Sequence, residues 1–450
     1  MKRQADKLIL PRWLIPVSDQ EANDLPPVLE HHGVVIRQDR IVAVGKVDEL
    51  AADWQVTERV ILDEHVLIPG LINAHTHAAM TLLRGYADDM PLMDWLSNHI
   101  WPAEAKWVNR DFVAAGTDLA ILEMIRGGTT CFQDMYFFPD VVASRAEHAG
   151  MRATVGMIVI EFPTVWASNA AEYLEKGLET RDALRHSPLV TAAFAPHAPY
   201  TVDDPALEKI ATLAEELDCQ VHMHVHETDN EISESTARFG IRPLERLDRL
   251  GLVSHRLAAV HMTHLMDAEI ETVAERGVNV IHCPQSNLKL ASGLCRVQDL
   301  ISAGANVAIG TDGASSNNDL DMLAEMQSAS LLAKGVANDP SAMNAGKSLY
   351  AATLGGARSL GMDDQLGSIV AGKLADLVAI NLAEASSWPV YHPLSQVVYG
   401  CNSRQVSDVW IGGRQVLEKH EFTRLDAEKI MSDAHHWRLK IGGSPPSSRS

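Results

Sequence analysis

Apolar positions along this chain fall into three regimes. Over residues 8–65 they form short runs of strand length, Leu8–Ile15, Val34–Arg37, Ile41–Gly45 and Arg59–Asp63, punctuated by Gly33 and a Gln38-Asp39-Arg40 turn. Such runs predict part of a small β-domain. From Val66 the rhythm changes, and apolar runs alternate with amphipathic stretches. The runs are Val66–Ile72, Thr129–Met135, Arg152–Ile160, Leu189–His197, Cys219–Glu227, Leu257–Thr263, Val278–Pro284 and Asn306–Asp312. Between them lie helical patterns such as Arg110–Arg126, Asp140–Ala149, Asp204–Leu217 and Met266–Arg276. Eight strand-then-helix units predict an α/β fold, a TIM-like (β/α)8 barrel. Phe162–Ser187 and Glu231–Leu250 are long for simple connections and predict extra helices or loops.

Beyond about residue 365 short strands return: Ser368–Val370, Asp376–Ile380, Val406–Ile411 and Arg414–Leu417, the last two joined by a Gly412-Gly413 hairpin signal. The expected organisation is therefore a small β-sandwich domain built from residues 1–65 and 366–420, with the catalytic barrel, residues 66–365, inserted between its halves. Residues 421–450 would hold a terminal helix over 425–440 and a Gly/Ser/Pro-rich, disordered tail, Gly442–Ser450.

A (β/α)8 barrel carries its chemistry at the C-terminal ends of its strands. The first run leads into Asn73-Ala74-His75-Thr76-His77, and the i,i+2 spacing puts both imidazoles on one face. In the fifth, Val221-His222-Met223-His224-Val225-His226-Glu227, strict alternation predicts Met223 and Val225 outward and three histidines inward. Branched apolar side chains normally fill that interior, so imidazoles there point to a polar site. The sixth run ends at His261, and the eighth at Asp312 within Gly-Thr-Asp-Gly. Two histidines, a further histidine and an aspartate make a four-ligand set open to water. His222, His226, His264 and His282 are read as ordinary core or supporting residues. Glu104, from its own context, reads as a helix-surface carboxylate.

Composition narrows the class. The chain has 450 residues, is 46% hydrophobic and 22% charged, and carries a net charge of −21. That surface repels nucleic acid and anionic membranes, so neither is an expected partner. Five scattered cysteines without a CxxC pair fit a reducing compartment and packing roles. Pro11, Arg12 and Pro16 interrupt the N-terminal apolar patch and no small-residue cleavage site follows, so export is not expected and the location is read as cytoplasmic.

Pro69-Gly70-Leu71-Ile72-Asn73-Ala74-His75-Thr76-His77, then His224 and Glu227, then His261, then Gly310-Thr311-Asp312-Gly313, and finally Gly372-Lys373-Leu374-Ala375-Asp376-Leu377-Val378, together resemble the amidohydrolase superfamily. Ala78–Gly85, Trp101-Pro102-Ala103-Glu104, Ala195–Tyr200, His224–Asp229 and Gly313–Asn318 are more closely similar to its 5-methylthioadenosine/S-adenosylhomocysteine deaminases. That resemblance implies hydrolytic deamination of an adenine ring, with a purine nucleoside as substrate. It implies His75, His77, His224 and Asp312 as ligands of one Zn²⁺ per subunit, although the donor set suits other divalent transition ions as well. Binuclear relatives carry a lysine at the end of strand 4. Here that strand ends Ala195-Pro196-His197, which supports a single ion. Glu227 would be the acid/base and would meet the substrate, His261 would orient or polarise the attacking hydroxide, and Asp312 would accept a proton. Glu104 would meet the ribose hydroxyls, His197 would line the site, and Ser316 would contact the distal part of the substrate. Guanine or 8-oxoguanine deamination, triazine hydrolysis, and a catalytically dead scaffold stay open as alternatives. A homodimer or higher homo-oligomer is a possible assembly.

Overall fold

The computed structural model describes residues 2–18 and 25–442. Eight parallel strands follow one another in chain order: Leu71–Thr76, Thr129–Asp134, Arg152–Val159, Val190–Pro196, Val221–Val225, Leu257–His261, Asn279–His282 and Asn306–Ile309. Their interior is apolar at mid-height, where Ala74, Ala258, Val260, Ile281, Cys283 and Ala308 from strands 1, 6, 7 and 8 meet in one buried cluster. No ladder joins strands 8 and 1 among the described residues. The Asn73 side chain and one backbone hydrogen bond close that seam instead. Asn73 accepts the Thr311 N–H at 3.0 Å and donates to its Oγ1 at 2.7 Å, and the Asp312 N–H reaches the His75 carbonyl at 3.0 Å. Gly310 permits this approach, because a Cβ there would lie 2.7 Å from the His75 nitrogen.

The remaining strands form a nine-stranded sheet from both ends of the chain. Its pairs are antiparallel except Arg3–Leu14 on Trp54–Pro69, which is parallel. Ile9, Leu14, Ile36, Ile41, Leu67 and Trp410, drawn from both ends of the sheet, share one buried cluster. The sheet therefore folds over on itself, giving the expected sandwich from one continuous sheet.

Two strand expectations need correction. Val66–Pro69 does not begin the barrel. It ends the long strand Trp54–Pro69 and pairs with Leu377–Ile380, and the first barrel strand starts only after Gly70. An apolar run buried on both faces reads the same in either sheet, so the pattern could not divide it. Ser368–Val370 is not a strand; its Ile369 N–H bonds to the Pro16 carbonyl. The long connections do carry helices, Ala170–Ala183 in one and Asp229–Phe239 and Pro243–Arg249 in the other. The terminal helix, Ala427–Gly442, seats Trp437 against Phe112 with ring centroids 5.3 Å apart. The expected tail from 443 onward lies outside the described residues.

Barrel and outer sheet are joined by a buried ion pair. Arg152 donates to Asp376 from Nε at 2.8 Å and from Nη2 at 3.2 Å, with both side chains 5% exposed or less. Asp376 also accepts the Gly412 N–H at 2.7 Å. Removing one partner strands the other charge, so Asp376→Ala is expected to cost about 3–5 kcal/mol, whereas Arg152→Met with Asp376→Leu recovers most of it. Urea unfolding midpoints check this; a wild-type midpoint for Asp376→Ala would contradict it.

Candidate active site

The C-terminal ends of strands 1, 5, 6 and 8 bring five predicted residues to one point. His75 Nε2 lies 3.2 Å from His224 Nε2 and 3.3 Å from Asp312 Oδ1. His77 Nε2 lies 3.2 Å from the same oxygen. His261 brings a ring nitrogen into the cluster with His75 and His224.

Each ring is turned by a contact at its other nitrogen. His77 Nδ1 bonds the Met135 carbonyl at 2.6 Å, His224 Nδ1 the His197 carbonyl at 2.8 Å, and His261 Nδ1 the Asn287 Oδ1 at 2.8 Å. In His224 and His261 the proton sits on Nδ1 and the Nε2 lone pair faces the centre, while His77 turns its Nε2 to Asp312. His75 behaves likewise in the tautomer in which Nδ1 donates to His222 Nε2 at 2.9 Å. Asp312 is held by two hydroxyls on its other oxygen, Ser286 at 2.6 Å and Ser316 at 2.8 Å. Imidazole and carboxylate acceptor atoms converging in this way suit a cation. Their 3.2–3.3 Å spacing matches the roughly 3.3 Å between ligands of a tetrahedral ion bound at 2.0–2.1 Å. The residues therefore fit a bound metal ion.

Electrostatics agree. Burial lowers the pKa of His75 to about 4 and keeps His224 well below the ordinary value, so both are neutral donors at pH 7. Burial also works to lower His77, but hydrogen bonding and charge from Asp312 outweigh it and raise it to about 9. Burial works against ionised Asp312, yet the two histidines hold it well below the usual carboxylate range. Asp312 is thus an ionised carboxylate at the centre of the cluster.

Glu227 and His261 stand beside this cluster, with His261 Nε2 3.8 Å from Glu227 Oε2. Burial raises the Glu227 pKa, against the opposing pull of His261. Its backbone is clamped from two sides. Glu231 accepts the His226 and Glu227 N–H groups at 2.9 and 2.8 Å, and the Thr263 hydroxyl sits 2.9 and 2.8 Å from the two carbonyls. Here the inward reading of three strand-5 histidines needs correction. The strand ends at Val225, His226 takes φ 55°, and its ring leaves the interior to accept the Leu244 N–H at 3.1 Å. His261 is the converse case. Val260 packs in the interior cluster, so alternation would send His261 outward. A φ of 76° breaks the alternation and turns the ring to the site. Asp312, three residues past the end of strand 8, also takes a positive φ, 61°.

The cluster floors a cavity of about 530 Å³, large enough for a nucleoside. Glu104 is half-buried in its wall and accepts the Tyr136 hydroxyl at 2.8 Å; it is not a surface carboxylate. Burial raises its pKa to about 7, partly offset by that hydrogen bond. His197 lines the cavity with Nδ1 3.1 Å from the Thr201 hydroxyl. Ser316 also reaches the wall, but its hydroxyl is given to Asp312. Sequence reasoning missed Ser286, Asn287, Tyr136 and Glu231. The first two offered a signal, being polar residues directly after the seventh apolar run, where a barrel gathers its site; the structure buries both in the first turn of the short helix Pro284–Lys289.

Residues 66–416 match the Amidohydrolase family. The chain belongs to that family. Its amidohydrolase barrel superposes on an adenosine deaminase from Xanthomonas campestris with bound zinc, at TM-score 0.96 and 50% identity, covering 98% of this chain and 100% of that one. A 5-methylthioadenosine/S-adenosylhomocysteine deaminase from Teredinibacter turnerae is 47% identical over 430 residues, 96% of each chain. One from Saccharophagus degradans is 43% identical over 440 residues, 98% of each. An atrazine chlorohydrolase from Arthrobacter aurescens shares the fold, at TM-score 0.88 and 24% identity over 96% of this chain and all of that one. Among the described residues no helix is long and apolar enough to cross a membrane.

Proposed function

We propose that this amidohydrolase converts the adenine ring of 5′-methylthioadenosine and S-adenosylhomocysteine, and of adenosine, to the corresponding inosines with release of ammonia. The observation that carries the reading is a buried, clamped Glu227 beside His261 and Asp312, at the floor of a nucleoside-sized cavity. The extended identity to deaminases supports the choice of substrate.

His75, His77, His224 and Asp312 would hold one Zn²⁺. Bound there, such an ion supplies Lewis acidity that brings the pKa of water from 15.7 to about 7. The chain's own groups do the rest. Asp312 takes one proton from the attacking water, and its Ser286 and Ser316 contacts keep Oδ1 turned to the site. His261, fixed by Asn287, holds the water oxygen in line with C6 of the purine. Glu227, whose pKa burial raises, donates its proton to ring N1 as the C6–O bond forms. Asp312 then passes its proton to the amino group, the C6–N bond breaks and ammonia leaves. Glu227 takes the hydroxyl proton of the adduct and returns to its starting state. Two carboxyls thus divide acid and base work by environment.

Glu104, paired with Tyr136, would accept the ribose hydroxyls. Acceptance needs the carboxylate, and a pKa raised to about 7 leaves that form incomplete below neutrality. KM for adenosine is therefore expected to fall as pH rises from 6 to 8. In Glu104→Gln that trend should vanish, with kcat/KM reduced about tenfold or more for adenosine and barely altered for 2′,3′-dideoxyadenosine. Equal losses on both nucleosides would refute the assignment.

A further inference from the structure

The outer part of the cavity has a chemistry that the metal centre does not use. Exposure rises from the floor, where Asp312 and Glu227 are 5% and 6% exposed, to Phe162 and Val165 at 39% and 40%, which marks the latter as the mouth. Two segments build that mouth. The stretch after strand 1 contributes Trp101, with Leu96 and Ile100 buried behind it, and the stretch after strand 3 contributes Phe162 and Val165. Trp101 and Phe162 meet across it edge to face, with ring centroids 5.9 Å apart. Trp101 lies one helical turn before Glu104, so the aromatic pair sits next to the residue assigned to the ribose.

No lysine or arginine lines the cavity among the described residues; its ionisable side chains are acids, histidines and tyrosines. Two basic residues beside the lining segments, Lys289 and Lys176, are already engaged. Lys289, beside the lining residue Leu290, pairs with Asp88 at 2.5 Å, and Lys176 pairs with Glu172 at 2.6 Å. A carboxylate brought to this mouth would lose water and find no cation. A thioether would lose little, and sulfur against aromatic edges is a favourable contact.

We propose that Trp101 and Phe162 form a specificity-determining aromatic clamp for a small apolar thioether at the nucleoside 5′ position, and that the cavity discriminates against 5′ groups ending in a carboxylate. This rests on the deaminase reading above. It ranks 5′-methylthioadenosine first among the proposed substrates and S-adenosylhomocysteine below it. A clamp also explains why aromatic surface is left exposed at the rim of a site otherwise built from buried groups.

The test is kcat/KM for 5′-methylthioadenosine, S-adenosylhomocysteine and adenosine, in the metal-replete wild type and in Phe162→Ala and Phe162→Leu. The wild type should favour 5′-methylthioadenosine over S-adenosylhomocysteine by at least about tenfold. Phe162→Ala should lower the ratio of 5′-methylthioadenosine to adenosine by about tenfold, mainly through KM, and Phe162→Leu should restore part of it. Equal use of the two thioether nucleosides would overturn the proposal, as would an unchanged ratio in Phe162→Ala. Failure to deaminate any of the three would instead overturn the deaminase reading on which it stands.

Discussion

Glu227→Gln is expected to lower kcat on 5′-methylthioadenosine by about 10²–10⁴-fold, the usual contribution of a positioned acid/base, while bound metal stays at the wild-type level. The substitution keeps shape and the backbone clamp from Glu231 and Thr263, so the loss would come from chemistry. A glutamine can hydrogen-bond to N1 but cannot transfer a proton to it, so KM should move far less than kcat. The Glu227 carboxyl lies beside the donor cluster, 3.8 Å from His261, and is not one of the four ligands proposed. Retained metal with lost turnover would separate it from a ligand. A variant with wild-type kcat would remove Glu227 from the mechanism.

His75→Ala should fail in the opposite way. His75 is fully buried and its Nε2 contacts both His224 and Asp312. Substituting residues that merely orient a ligand costs about 10–100-fold in metal affinity, so deleting this donor should cost at least about 100-fold. Activity should fall with the metal. The loss also has a readout independent of turnover, because an ion that binds only the native state stabilises it by mass action. A chelator should therefore lower the melting temperature of the wild type and leave that of His75→Ala nearly unchanged. Full metal occupancy in His75→Ala, measured by elemental analysis, would contradict the ligand assignment.

Much of this site could be read along the chain because barrel strands advertise their ends. His75, His77, His224, His261 and Asp312 each follow an apolar run, and the architecture gathers such ends at one face. What alternation could not supply was the direction of residues where the strand stops. His226 and His261 both have positive φ, one turning away from the site and one toward it. Those turns depend on Glu231 capturing two N–H groups and on Asn287 holding the imidazole, contacts made by other segments. Glu104 was ambiguous for a similar reason. Its helix reads as exposed until Tyr136, from the end of strand 2, gives it a partner and a cavity to face. The boundary near Gly70 was lost because Val66–Ile68 and Leu71–Ile72 are equally apolar and equally buried, although they belong to different sheets.

The proposed reaction is metal-dependent hydrolytic deamination of an adenine nucleoside. Its most direct test is ammonia released from 5′-methylthioadenosine by zinc-replete protein, followed together with loss of the adenine absorbance. One ammonia per nucleoside consumed is expected, abolished by chelation and restored by adding Zn²⁺. Metal-replete protein that releases no ammonia from this nucleoside, from S-adenosylhomocysteine or from adenosine would contradict it.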